Sequence, residues 1–146
     1  NTIRTIEGGL LSYQSDFGGE HNPYTIGLDR LVDLDQDIDF IGKEALRKIK
    51  EDGISNKLVG VEIDGDPIQK APENFWPVFD VNSNKIGRLS RCFYSPRLKK
   101  NIGLAIIDIK FTEPGTPLVI ESPKAHLNAQ VHELPWFPAE KSTNLD

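Results

Sequence analysis

Downstream of Gly53 the sequence consists of short β-type segments separated by turn signals at nearly regular intervals. The segments are rich in β-branched and aromatic residues, and pairs such as Asp66-Pro67 and Pro114-Gly115 between them favour tight turns. Six strands are predicted, at residues 57–63, 76–81, 85–92, 102–109, 117–121 and 125–133. Because no second long helix interrupts them, the pattern indicates a small antiparallel β-barrel or sandwich.

One amphipathic segment precedes the strands. Its apolar residues recur at helical spacing and would line one face: Ile41, Ala45, Leu46 and Ile49. Asp39 upstream and Gly53 downstream are typical start and stop signals. We therefore predict a helix between residue 40 and Gly53, with an ion pair between Glu44 and Lys48.

The composition is that of a globular protein. The 146 residues include 22 acidic and 17 basic side chains, for a net charge of −5, together with one cysteine and no methionine. No apolar run approaches the roughly 20 residues that span a bilayer, and a single cysteine excludes an internal disulfide, so we expect a cytoplasmic protein. Since position 1 is not methionine, we also expect the chain to be a piece of a longer protein.

Positive charge is concentrated in one window. Residues 85–101 contain six basic side chains and no acidic ones, interleaved with Phe93 and Tyr94. Such a window fits single-stranded nucleic acid, with phosphates on the cations and bases on the rings. It equally fits a smaller polyanion with an aromatic head, or a solvated hairpin that pairs with acidic neighbours. The pattern alone leaves these three interpretations open.

An acidic run before the helix has the spacing of calcium ligands in an EF-hand loop: Asp33, Asp35, Asp37, Asp39 and Glu44. The sixth loop position is Ile38, where the tight turn requires glycine, so the run is predicted to be a solvated acidic loop. The three histidines are too scattered for a ligand set, and no metal site is predicted.

Three side chains that chemistry could recruit are predicted to be structural. Cys92 lies beside Arg91, which could lower the pKa of a thiol. Because Cys92 sits in a predicted strand flanked by Leu89 and Phe93, it is expected to be a packed thiol. Trp76 and Trp136 are expected to be core or domain-interface aromatics rather than a substrate cage.

Six strings occur in one order along the chain: IEGGLLSYQSD, NPYTIGL, DFIGKEAL, IGRLSRCFYSPRLKKNIGLAIIDI, EPGTPLVIE and AQVHELPWF. Together they resemble the glycine-cleavage T-protein family of folate-dependent aminomethyltransferases. Several motifs in one order are more specific than any single motif. The strings YSPR at 94–97 and DIDF at 37–40 resemble most closely the branch that demethylates dimethylsulfoniopropionate with tetrahydrofolate.

The resemblance implies a mostly β, α+β chain. Residues 1–53 would be the incomplete end of a central folate-binding α+β domain, and residues 54–146 a C-terminal antiparallel β-barrel. The family's catalytic carboxylate would lie in a missing N-terminal part of the same protein, so no catalytic residue is predicted here and the chain alone is expected to be inactive.

The implied activity is transfer of a methyl group from dimethylsulfoniopropionate, a small-molecule substrate, to tetrahydrofolate. The alternative within the family is the aminomethyltransferase of the glycine cleavage system, which would add a lipoyl carrier protein as a partner. The alternative from another class is a single-stranded nucleic-acid-binding module, which one basic window supports less well than the ordered motifs.

The resemblance also selects cofactor-binding candidates: Arg4, Tyr13, Arg30, Arg97 and Lys99. Tyr13 transfers directly from the family pattern, whereas Arg4 precedes Glu7 by one residue more than in the family's Arg-x-Glu. Arg30 stands where some relatives have an aromatic residue near the pterin. Arg97 or Lys99 would contact the carboxylates of the folate tail.

Overall fold

The structure is a computed structural model and describes residues 2–137. Its helices are α1 (Thr2–Glu7) and α2 (Lys43–Asp52), with single 3₁₀ turns at Asp29–Leu31 and Ile109–Phe111. Its strands are β1 (Asn56–Ile63), β2 (Trp76–Phe79), β3 (Lys85–Ser95), β4 (Lys100–Asp108), β5 (Pro117–Glu121) and β6 (His126–His132). All six predicted strands are present, although β3 runs three residues further than predicted. None of the helices in this part of the chain is long and apolar enough to cross a membrane.

The six strands form a closed barrel in the order β1-β4-β3-β2-β5-β6, and every neighbouring pair is antiparallel. Pairing of β1 with β6 closes the ring, for example at Val61 and Val131. Closure leaves no unpaired strand edge, which separates this barrel from a sandwich. The fold class predicted from the sequence is therefore confirmed, in its barrel form.

The barrel interior is filled by aliphatic side chains such as Val61, Leu89 and Ile120, all fully buried. A second buried cluster lies on the outer face of β1 and β4 and contains Ile6, Leu58, Ile102, Leu104, Ile106 and Trp136. Both faces of β4 are consequently covered, and each of its residues from 101 to 107 is buried. This explains why its sequence is a continuous apolar run instead of an alternating one.

Helix α1 lies on the outside of the barrel against β3 and β4. Its Ile6 is fully buried in the outer cluster. The segment that precedes the predicted boundary at residue 54 therefore packs directly on the barrel, and the division into 1–53 and 54–146 stays a prediction.

Helix α2 begins later than the apolar spacing predicted. Gly42 has φ 92°, a left-handed conformation that reverses the chain before Lys43. Ile41 therefore falls outside the helix and is fully exposed, contrary to the prediction. The carboxylate of Asp39 accepts the backbone N–H of Phe40 at 2.9 Å instead of capping the helix.

The predicted ion pair on α2 also differs. Glu44 pairs with Arg47 at i,i+3 and not with Lys48. Both spacings bring side chains together on a helix surface, so the periodicity does not choose between them. Leu46 and Ile49 are half-buried, so the apolar face of α2 is only partly covered.

Candidate functional site

A hollow of about 610 Å³ opens between α1 and the turn that joins β3 to β4. Arg4 and Glu7 line it from α1, Pro96 and Arg97 from the turn, and Phe137 from the segment after β6. We call it the α1 hollow. It exists because the outer apolar cluster holds α1 against the barrel beside the β3–β4 turn.

Two positive side chains face the α1 hollow. Arg4 and Arg97 are both exposed, and neither forms an ion pair within residues 2–137. The guanidinium carbon of Arg97 lies 3.6 Å from the ring centroid of Phe137, so one face of the guanidinium is stacked while its N–H edges remain available. Two unpaired guanidinium groups above an apolar floor suit a ligand that combines carboxylates with an aromatic ring.

The other predicted cofactor residues do not share this hollow. Arg30 lines a second hollow of about 760 Å³ with residues 8–11 and the segment following β6. Tyr13 is 62% exposed, and its ring meets that of Phe17 edge-on at 5.6 Å. Lys99 is exposed in the β3–β4 turn with φ 55°. The structure thus brings Arg4 and Arg97 together and places the other three candidates elsewhere; the roles of all five stay predictions.

Three of the six basic side chains in the window at residues 85–101 are paired with acidic neighbours. Arg88 Nη2 lies 3.6 Å from Glu20 Oε1, and Lys100 Nζ lies 2.7 Å from Glu62 Oε2. Arg91 forms an ion pair with the buried carboxylate of Asp16, described below. For these three cations the interpretation as a hairpin paired with acidic neighbours is confirmed, and they are not available as a continuous stripe for a polyanion.

A buried network of hydrogen bonds joins the loop after α1 to strand β3, two segments that are far apart in sequence. The carboxylate of Asp16 is fully buried and accepts Arg91 Nε at 2.8 Å, Arg91 Nη2 at 2.6 Å and Ser90 Oγ at 2.8 Å. Arg91 also donates to the Leu10 carbonyl at 2.9 Å and to Thr5 Oγ1 at 3.1 Å. We call this network the Asp16–Arg91 clamp. It fixes α1 and the loop after it to β3, and sequence reasoning missed it because the two partners are 75 positions apart.

Two carboxyl groups have altered acidity for local reasons. Burial raises the pKa of Glu62, but hydrogen bonds from Lys100 and Gln130 and nearby positive charge outweigh it, so the net pKa is lowered. The pKa of Asp80 is lowered by hydrogen bonds from the side chain and backbone of Asn84 in the β2–β3 turn. Neither group faces the α1 hollow, so both belong to the scaffold.

The acidic loop before α2 surrounds the ammonium group of Lys43. Lys43 is buried, and its Nζ donates to the carbonyl oxygens of Gln36 at 2.6 Å and Ile38 at 3.2 Å. Asp33 Oδ1 accepts the backbone N–H of Asp35 at 3.0 Å. No group of three or more potential metal-ligating side chains converges in the part of the chain that the structure describes. The loop is organised around the lysine ammonium.

The two tryptophans lie in packed surroundings. Trp136 belongs to the outer apolar cluster, where its indole stacks on His132 at 5.1 Å with an interplanar angle of 10°. Its Nε1 is buried without a hydrogen-bond partner among the described residues. Trp76 packs against the barrel interior. Trp136 is therefore buried and Trp76 half-buried against the core, which agrees with the expectation that they are core or domain-interface aromatics.

Cys92 is a packed thiol in the barrel interior, which confirms the expectation from its neighbours. It is fully buried, and burial raises its pKa to about 12. Thiol reagents attack the thiolate, so at pH 8 we expect the native chain to react with 5,5′-dithiobis-(2-nitrobenzoate) roughly a hundredfold or more slowly than the chain unfolded in guanidinium chloride. Complete labelling of the native chain within seconds would contradict this assignment.

Comparison with known proteins supplies the family. Residues 56–138 match the model of the glycine cleavage T-protein C-terminal barrel domain. An aminomethyltransferase of Geobacillus sp. (strain WCH70) is 38% identical over 141 residues, which is 97% of this chain and 37% of that protein. An aminomethyltransferase of Caldanaerobacter subterraneus subsp. tengcongensis is 40% identical over 120 residues, which is 82% of this chain and 30% of that protein. This chain thus spans little more than a third of such relatives.

The fold is also that of a solved relative. The crystal structure of glycine cleavage system aminomethyltransferase T from Bartonella henselae superposes with a TM-score of 0.81 at 20% identity, covering 92% of this chain and 37% of that one. The family model of the barrel domain matches more than half of the residues of the present chain. This chain therefore belongs to the glycine cleavage T-protein family.

Proposed function

We propose that this chain supplies the barrel and one wall of the folate site in an aminomethyltransferase of the glycine cleavage system. The observation that supports this most directly is the convergence of Arg4 and Arg97, both without acidic partners among the described residues, on one hollow with an apolar floor. The named relatives at 38% and 40% identity favour aminomethyl transfer over the other activities considered.

The α1 hollow suits the tail of tetrahydrofolate. This tail carries an aminobenzoyl ring and the carboxylates of glutamate. Arg4 and Arg97 would bind the carboxylates through charge-assisted hydrogen bonds, while Pro96 and Phe137 contact the ring. Lys99, two residues after Arg97, would add to the positive field at the entrance.

In the proposed reaction the aminomethyl group arrives on a sulfur of the lipoyl arm of a carrier protein. Its carbon passes to tetrahydrofolate as the methylene group, the carbon–sulfur bond breaks to leave the lipoyl arm as the dithiol, and the nitrogen is released as ammonia. We assign binding and orientation of the folate to this chain, and the catalytic carboxylate to another part of the longer protein. In this arrangement residues 1–53 complete a central folate-binding domain and residues 54–146 form the barrel domain. Tyr13 and Arg30 are assigned to surfaces that face the rest of that protein.

A second candidate is transfer of a methyl group from dimethylsulfoniopropionate to tetrahydrofolate. The strings YSPR at 94–97 and DIDF at 37–40 favour this branch. A sulfonium methyl is already activated for displacement, so the enzyme need only align it with N5 of the folate and exclude water. The same hollow would hold the same folate tail, and only the donor site would differ.

One assay separates the two donors. The complete protein that contains this chain is incubated with tetrahydrofolate and either an aminomethyl-loaded lipoyl carrier or dimethylsulfoniopropionate. We expect ammonia and methylenetetrahydrofolate from the first mixture, and no methyl transfer from the second. Formation of 5-methyltetrahydrofolate only from the sulfonium compound would replace the proposal by the second candidate, and absence of product from both would contradict the two together.

A further inference from the structure

In the wall of the α1 hollow a buried carboxylate meets a buried hydroxyl. Glu7 is 9% exposed and Ser95 is fully buried. The hydroxyl of Ser95 donates to Glu7 Oε1 at 2.6 Å, and its oxygen accepts the backbone N–H of Leu98 at 3.1 Å. Leu98 belongs to the turn between β3 and β4. A continuous hydrogen-bonded path therefore runs from α1 through Ser95 to this turn.

The path connects the two walls on which the arginines lie. Arg4 precedes Glu7 by three residues in the same helix, and Arg97 is bonded directly to Leu98. If either hydrogen bond of the path lengthened or broke, α1 and the β3–β4 turn could move apart, and the distance between Arg4 and Arg97 would change. Two guanidinium groups can hold one ligand together only when their separation matches it, so the path controls the geometry that the ligand meets.

The placement of Glu7 needs a reason, because a carboxylate in a hollow with two arginines opposes the binding of an anion. Burial of a charge is costly unless hydrogen bonds compensate it. The bond from Ser95 supplies such compensation and holds Oε1 at the end of β3. The carboxylate is thus used as an acceptor for the turn.

We infer that Glu7 and Ser95 are positioning residues that set the spacing of Arg4 and Arg97 for the folate tail. This inference rests on the proposed function of the α1 hollow. Helix α1 is held independently by Ile6 and by the Asp16–Arg91 clamp, so loss of the path loosens the turn and leaves the helix docked.

The test is calorimetric titration of the complete protein that contains this chain with N-(4-aminobenzoyl)-L-glutamate at low salt. We expect Ser95→Ala and Glu7→Ala each to raise Kd about tenfold, the effect of losing one hydrogen bond in a bound geometry. Glu7→Gln keeps an oxygen that can accept from Ser95 and removes the repulsive charge. It is expected to bind at least as tightly as the unchanged chain.

The matched control is Ser122→Ala. Ser122 Oγ accepts the backbone N–H of Ala125 at 3.0 Å in the β5–β6 turn, so this change removes an equivalent turn contact outside the hollow. Its Kd should equal that of the unchanged chain. Thermal unfolding of every variant shows whether a loss of affinity accompanies a loss of fold.

The outcomes distinguish the inference from the function on which it rests. No binding by the unchanged chain, or equal binding by Arg97→Ala, removes the support for the α1 hollow as a folate-tail site. If Arg97→Ala binds more weakly while folded Ser95→Ala keeps the Kd of the unchanged chain, the positioning role is overturned and the proposed function of the hollow is not. Equal losses in Glu7→Gln and Glu7→Ala also overturn it, because the carboxylate charge and not the path would then matter.

Discussion

Replacing Arg91 by alanine should lower the free energy of unfolding by about 3–5 kcal/mol, since it leaves the fully buried carboxylate of Asp16 without its charged partner. The same change removes the donors to Leu10 and Thr5, so α1 and the following loop lose their attachment to β3. The measurement is chemical denaturation at pH 7 followed by circular dichroism.

Lys100→Ala is the matched control for this prediction. It also removes the cation of an ion pair, but Lys100 is half exposed, and Glu62, although its side chain is only 13% exposed, keeps a second hydrogen bond from Gln130. Exposed pairs contribute about 0–1 kcal/mol. Adding Asp16→Ala to Arg91→Ala should cost less than the sum of the single changes, since the two groups act as one unit. Equal small losses in Arg91→Ala and Lys100→Ala would show that the clamp does not hold the segment.

Ile6→Ala should destabilise the chain by about 2–5 kcal/mol, the range for truncating a fully buried aliphatic side chain. Ile6 is the residue of α1 that enters the outer cluster formed by β1, β4 and Trp136. Truncation leaves a cavity that backbone hydrogen bonds of the barrel do not allow to collapse. Thermal and urea denaturation of the purified chain would measure the loss.

The control for Ile6→Ala is the same chemical change at Ile41, which is fully exposed. Substitutions at exposed positions away from special contacts usually stay within about 0.5 kcal/mol. A neutral result at both positions would mean that α1 is not docked in solution. A large loss at Ile6 alone supports the arrangement in which α1 forms one wall of the hollow.

The strands were predictable because their signals are local. Alternation, β-branched residues and turn pairs such as Pro114-Gly115 lie within a few positions of the strands they delimit. The late start of α2 was not predictable from periodicity, because it depends on the left-handed conformation of Gly42. The spacing of apolar residues indicates which side chains can share one face of a helix. It does not indicate where the helix begins, which for α2 is set by the chain reversal at Gly42.

The site was only partly predictable for a different reason. Arg4 and Arg97 were chosen by resemblance, and folding brings them to one hollow although they are 93 positions apart in the sequence. The ion pair between Asp16 and Arg91 could not be predicted from local sequence, because the two residues become neighbours only when the barrel has formed. Tyr13 was chosen by the same resemblance, but the fold leaves it 62% exposed and outside the α1 hollow.

The docking of α1 on the barrel also determines the order in which the chain can fold during its synthesis. Glu7 emerges from the ribosome 88 positions before Ser95, its hydrogen-bond partner. At roughly 5–20 residues per second this delay lasts about 4–18 seconds. Throughout that interval Ile6 has no β4 to cover it, so α1 can dock only after the β3–β4 hairpin has been synthesised.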